Sequence, residues 1–297
     1  MNRNTLNLVL AVLVAGLAGG AWYAQKQKNA PKPTLTGLAA DGVSSASVAW
    51  PDAPEIKLTR QGSEWRLTAP VPARVDRFEA LNFGNLASAE IKQTLTPEGL
   101  DLKQIGLAPP ERVITLNDQR IEFGNVDPIE SRRYVKLGEK VMLIDDPVSA
   151  VFDRDYHDLV AKELFATGEE IVGLELPGLS LSKSAEGAWS AQPATAAATP
   201  EAIAQLVERW KIANAMWTEA GGEPPKGEQV RVLLKGGEAR EFVVAGRDPQ
   251  FSLYAPALKV RFQLSKALAD ELLKLPEPVP SPATPAAATA PRPSAPN

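Results

Sequence analysis

Apolar and polar positions follow three regimes along this chain. Leu6 to Ala24 is apolar with only Asn7 clearly polar, about 19 residues, which is the length a transmembrane helix needs. From Ile56 onward the pattern shortens to strand-like alternation broken by Gly, Pro and Asn-Asp turns. Ile56-Lys57-Leu58-Thr59-Arg60, the turn Gln61-Gly62-Ser63 and Trp65-Arg66-Leu67 read as a hairpin. Beyond Pro276 the chain alternates Pro, Ala, Ser and Thr without periodicity. That segment cannot bury a core and reads as a disordered tail with extended polyproline character.

The alternating regime is written twice. Trp65 and Trp189 end similar stretches. Pro109-Pro110, Asp127-Pro128, Tyr134 and Lys140-Val141 recur in the same order as Pro224-Pro225, Asp248-Pro249, Tyr254 and Lys259-Val260. In the first half, Asp76 is an N-cap for a helix to about Ala89 with Phe78, Leu81 and Leu86 apolar. In the second, Thr199 caps, Pro200 takes the first helical position, and Ile203, Leu206, Val207, Trp210 and Trp217 form one stripe. Hairpins follow over Val113–Leu116 and Ile121–Phe123, then Tyr134–Leu137 and Val141–Ile144. The second half answers with Val230–Leu234, Phe242–Ala245, Leu253-Tyr254 and Val260–Leu264. Short helices at Pro147–Phe152 and Lys266–Leu275 close the halves, and Ile171–Leu176 adds a strand.

This order lacks the strand–helix alternation of a parallel sheet. The expectation is an α+β protein of two tandem, internally duplicated units, each a twisted antiparallel sheet with a packed helix, behind an N-terminal transmembrane helix. The divisions are an anchor at 1–24, a linker at 25–45, a first unit at 46–152, a connecting helix at 153–170, a second unit at 171–275 and the tail at 276–297.

Trp22 and Tyr23 close the apolar run where amphipathic rings favour the interface, and Lys26 and Lys28 follow. A cleaved leader is the competing reading, with Gly19-Gly20-Ala21 as its cleavage site. The run exceeds the usual leader core of about 7–15 residues, which favours an uncleaved anchor. The predicted location is a bacterial inner membrane, crossed once, with the body in the periplasm. Ala11, Ala15 and Gly19, with Gly16 and Gly20 on the next row, are spaced for helix–helix association in lipid.

Composition narrows the chemistry. The chain of 297 residues has no cysteine and one histidine. Disulfides, thiolate metal sites and cysteine nucleophiles are excluded, as is a multi-histidine metal site within one chain. Four basic residues and no acid precede Pro33, so the body is more acidic than the net charge of −4. Such a body is ill suited to nucleic acid, whose phosphates call for clustered Lys and Arg.

Candidate chemistry is sparse. Asp153-Arg154-Asp155-Tyr156-His157-Asp158 gathers the histidine with three carboxylates. It could be a metal site or an acid–base pair, but acids in the first turn of a helix account for it more simply. Asp127-Pro128 and Asp248-Pro249 suit turns. Trp65 and Trp189 suit core packing before glycan stacking. No phosphate loop, dinucleotide fingerprint or nucleophile elbow is present. No catalytic, cofactor-binding or metal residue is assigned, and no cofactor is expected.

Gly106-Leu107-Ala108-Pro109-Pro110, the strand pair ending Phe123-Gly124, and Arg133-Tyr134-Val135 before a hairpin resemble an uncharacterised family of single-pass bacterial envelope proteins. Its genes often lie beside ABC transporter genes of the gliding-motility type. The resemblance covers roughly Ala53 to Leu275 and is strongest in the first half. The second half departs from it with Gly221-Gly222-Glu223-Pro224-Pro225. The resemblance implies a non-enzymatic accessory or scaffolding subunit with ABC-type transporter subunits as partners. A periplasmic glycan- or peptide-binding module is the alternative. A hydrolase using Asp155, His157 and Asp158 ranks last.

Overall fold

The computed structural model describes residues 3–28, 32–96, 98–146, 152 and 154–276. Helix α1 spans Arg3–Lys28, and within it the side chains of 12–23, 25 and 26 are described. Among the described residues no helix is long and apolar enough to cross a membrane. Residues 3–11, which open the apolar run, have no described side chains. Two compact units follow one another, divided between Leu159 and Val160.

The first unit opens with strands β1 (Ser45–Trp50), β2 (Ala53–Gln61), β3 (Glu64–Ala69) and the short β4 (Ala73–Arg74). Helix α2 (Arg77–Ala87) and strand β5 (Gln93–Leu95) come next. A four-stranded meander then runs through β6 (Arg112–Leu116), β7 (Gln119–Val126), β8 (Arg132–Leu137) and β9 (Lys140–Asp145). Gly62 and Gly138, both at positive φ, turn two of the hairpins. All pairings are antiparallel, in the order β4-β3-β2-β1-β6-β7-β8-β9-β5.

Helix α2 is started by the Asp76 carboxylate, which accepts from Phe78 N and Glu79 N. It packs against the sheet through Phe83 and Leu86, both fully buried. Phe83 stacks on Trp65 with ring centroids 5.9 Å apart and lies 4.9 Å from the Phe152 ring. Gly84 lets the helix approach the turn at Ala40–Gly42, since a Cβ there would sit 2.7 Å from the Ala40 carbonyl oxygen. A short helix, α3 (Tyr156–Leu159), ends the unit.

The second unit contains β10 (Ile171–Leu176), β11 (Leu179–Lys183), β12 (Trp189–Gln192), helix α4 (Pro200–Ile212), β13 (Trp217–Ala220), β14 (Gln229–Leu234), β15 (Ala239–Gly246), β16 (Phe251–Ala255), β17 (Val260–Leu264) and helix α5 (Leu268–Leu273). Its sheet order is β12-β11-β10-β14-β15-β16-β17-β13. Removing the extra edge strand β4 from the first sheet leaves the same order, element for element. In both, three strands, a helix and an edge strand precede a four-strand meander that inserts beside the first strand. Both meanders also carry an irregularity between their second and third strands, after Phe123 and after Val244.

Several expectations are corrected by the packing. The segment expected as a linker belongs to the first unit from Pro33 onward. Leu35 is 3% exposed, its N–H donates to Ala89 O at 2.8 Å, and Ile91 N donates to Pro33 O at 2.9 Å. The connecting helix over 153–170 is reduced to α3, and the chain beyond it lies in turns and single bridges. Phe78 and Leu81 are 63% and 62% exposed. The inner face of α2 is instead Ala80, Phe83, Gly84, Leu86 and Ala87. Trp217 is not on the helical stripe. Helix α4 stops at Ile212, the Ala213 carbonyl accepts from Leu164 N, and Ala215 N donates to Lys162 O. Those bonds turn the chain into edge strand β13, where Trp217 is 40% exposed. The expected helix at Pro147–Phe152 and the tail beyond Pro276 fall on residues outside those described, apart from Phe152.

Candidate functional site

The most concentrated polar chemistry of the first unit lies in its meander. Arg112 and Arg133 are 3% and 8% exposed, rare burial for residues that carry a permanent charge. Arg133, on β8, donates from Nε to Asp146 Oδ1 at 2.6 Å. Its Nη1 donates to Glu111 Oε2 at 2.8 Å and to the Gly124 carbonyl at 2.9 Å. The irregularity after Phe123 is where this carbonyl leaves the ladder. Arg112, paired with Phe123 across β6 and β7, lays its guanidinium over that ring at 5.1 Å.

Burial, and then the like charge of Arg133, push the Arg112 guanidinium down to about 10, against the pull of Glu111 and Asp146. Arg112 therefore stays protonated at neutral pH. Two guanidinium and two carboxylate groups balance in charge, and the bonds of Arg133 tie β8 to β7 and to the residues flanking β6 and β9. The sequence motif is explained by what crosses this meander. Gly106 sits at φ +71°, and a Cβ there would lie 2.3 Å from Asn125 Oδ1. Opposite, a Cβ on Gly124 would lie 2.3 Å from Ile105 O. Asn125 closes the contact by donating from N to Ile105 O and from Nδ2 to Gln104 O.

The second unit uses different residues for the comparable segment. A Cβ on Gly221 would lie 2.4 Å from the Tyr254 ring, and Arg261 Nε donates to Gly221 O at 2.9 Å. Its charged cluster is elsewhere. Glu170 accepts from Lys183 and Lys235, both at 2.8 Å, and the two ammonium groups hold its carboxyl down to about 2.

The histidine sits on α3. Its Nδ1 is 3.5 Å from Asp155 Oδ2 and its Nε2 is 3.6 Å from Asp158 Oδ2. The ring meets Tyr156 edge-on. So Asp155, His157 and Asp158 do come together, at distances beyond good hydrogen bonds. Asp153 lies outside the described residues. Among the described residues no group of His, Asp and Glu is arranged to hold a metal. Asp127 accepts from Glu130 N and closes the turn expected of Asp-Pro. Asp248 pairs with Lys266. Trp65 is committed to Phe83. Sequence reasoning missed the arginine pair, because nothing local distinguishes Arg112 and Arg133 from surface arginines in alternating strands. The signal available was the place of Arg112 just after the Gly106–Pro110 motif and of Arg133 within the Arg133-Tyr134-Val135 motif.

No curated protein and no solved structure matches this chain. Residues 65–223 match the family described as domain of unknown function DUF4340. The match starts in β3 of the first unit and ends ahead of β14 in the second, so it crosses the boundary between them. It covers more than half of the sequence, and the chain is a member of the DUF4340 family.

Proposed function

We propose that this protein is a non-enzymatic, membrane-anchored periplasmic subunit that scaffolds or assists an ABC-type transport complex. Helix α1 is its single inner-membrane span, and the two units are the products of an old duplication. The observation that carries the reading is the succession of a 26-residue helix containing the Leu6–Ala24 apolar run and two units with one strand order. A helix of that length reaches about 39 Å, more than the roughly 30 Å hydrocarbon core. The choice of an ABC-type partner comes from the resemblance carried by Gly106–Pro110 and Arg133-Tyr134-Val135. The buried charges support a scaffold, since Arg112 and Arg133 are spent on holding strands together. ATP hydrolysis would belong to the partner.

The test is a mild-detergent pull-down of the tagged full chain from native membranes, with mass spectrometry. Stoichiometric permease or ATPase subunits are expected, and recovery of the protein alone would overturn the reading. A binding module for glycan or peptide is favoured by one observation. Among the described residues β13 is an edge strand of its sheet, and Trp217 and its neighbour Met216 are partly exposed there. Binding of cell-wall fragments that is lost in Trp217→Ala would move the weight to that reading.

A further inference from the structure

We infer that the end of the first unit formed by Pro33–Thr36, the C-terminal end of α2 and strand β5 rests on the phospholipid headgroups of the membrane that holds α1. This rests on the reading of α1 as an anchor and goes beyond it by fixing which surface of the body meets lipid.

The argument is one of chain length. Helix α1 runs to Lys28. Lys32 is already part of the body, with its Nζ 2.8 Å and 2.9 Å from the two Glu90 carboxylate oxygens. Thr34 bridges to Glu90, Leu35 N donates to Ala89 O, and the Thr36 hydroxyl donates to Ala87 O at 2.7 Å. Four Cα steps separate Lys28 from Lys32, so the gap cannot exceed about 15 Å. The residues after the apolar run extend α1 by about 6 Å at 1.5 Å per residue. That rise crosses the headgroup layer, about 5–8 Å thick on each side of the core. The body therefore begins within about 15 Å of the lipid surface, close enough for this end to settle on it.

The chemistry of this end suits the zwitterionic headgroup layer. Lys92 reaches Glu90 at 3.3 Å and Asp145 at 3.1 Å. With Lys32 these groups form a neutral set of two ammonium and two carboxylate groups. The hairpin tip at Gly138-Glu139 is the control surface, because it lies about 14 Å along β9 from Leu143, the strand partner of Gln93.

The absence of native cysteine makes single-site labelling direct. The full chain carrying Val14→Cys, Gln93→Cys or Glu139→Cys would be labelled with bimane and reconstituted in phosphatidylethanolamine–phosphatidylglycerol vesicles. One set of vesicles carries a headgroup nitroxide quencher, the other a mid-chain one. The expected result is loss of most emission at Val14 with the mid-chain quencher and at Gln93 with the headgroup quencher, with Glu139 unaffected. Inserting roughly 20 Gly/Ser residues after Lys28, a coil of about 25 Å r.m.s. length, should restore emission at Gln93. Quenching at Val14 without quenching at Gln93, or equal quenching at Gln93 and Glu139, overturns the inference and leaves the anchor standing. Absence of quenching at Val14 overturns the anchor, and the inference with it.

Discussion

The indole Nε1 of Trp210 donates to the Leu272 carbonyl at 2.8 Å, tying α4 to α5 across 62 residues of sequence. Trp210 is fully buried and tilts against Phe242 with centroids 6.0 Å apart. Trp210→Phe keeps most of the apolar volume and leaves the carbonyl without this donor, a cost of about 1–3 kcal/mol. Trp210→Ala adds a cavity and should cost about 3–5 kcal/mol. Urea unfolding followed by circular dichroism reads both. Equal midpoints for wild type and Trp210→Phe would show that the hydrogen bond contributes nothing.

Arg133 is the hub of the first meander. Arg133→Met removes the donor that Glu111 and Asp146 share and should cost about 3 kcal/mol, the low end for a broken buried pair, because both acids reach water. Arg133→Lys keeps the charge but cannot reach three acceptors in one plane. Its stability should fall between the two. A lysine variant as stable as wild type would mean that charge alone matters there.

Gly106 and Gly138 separate backbone strain from crowding. Both have positive φ, +71° and +59°, but only Gly106 has a neighbour where a Cβ would go. Gly138→Ala should cost about 1–2 kcal/mol for the left-handed conformation alone. Gly106→Ala should cost more, as Asn125 and its strand must shift. Equal losses would remove the close approach as the reason for glycine at 106.

The Glu170 carboxyl is depressed from 4.5 to about 2 by Lys183 and Lys235. A depressed carboxylate contributes stability above its unfolded pKa, and that contribution is lost as pH falls from about 4.5 toward 2. The melting-temperature gap between wild type and Glu170→Gln should therefore be largest near neutral pH. It should shrink through that acid window and with added salt, since the groups are exposed. A gap independent of pH would exclude the ion triad as its source.

Much of the architecture was legible in the sequence because hairpins are local. Alternation plus a turn residue defines β2–β3, β6–β7, β8–β9 and β14–β15 without reference to distant residues. The caps Asp76 and Thr199 likewise act within three residues and start their helices where expected. The antiparallel α+β class follows from the order of those elements.

What only the tertiary structure decided is which faces are inside and which distant strands are neighbours. Phe78 and Leu81 are larger than Ala80 and Gly84, yet the small residues face inward because the Ala40–Gly42 turn crosses α2 at Gly84. Trp217 continues the period of Trp210, but backbone bonds to Lys162 and Leu164 end the helix first. Segment 33–44 looks like a tether because it is rich in small residues, and its two buried anchors, Leu35 and Val43, are too sparse to form a period. The Arg112–Arg133 cluster depends on strands brought side by side and on acids from positions 111 and 146. Periodicity reports what a residue's own helix or strand does. The choice of face, the end of a helix and the burial of a charge are set by free energy gained from partners far away in the chain.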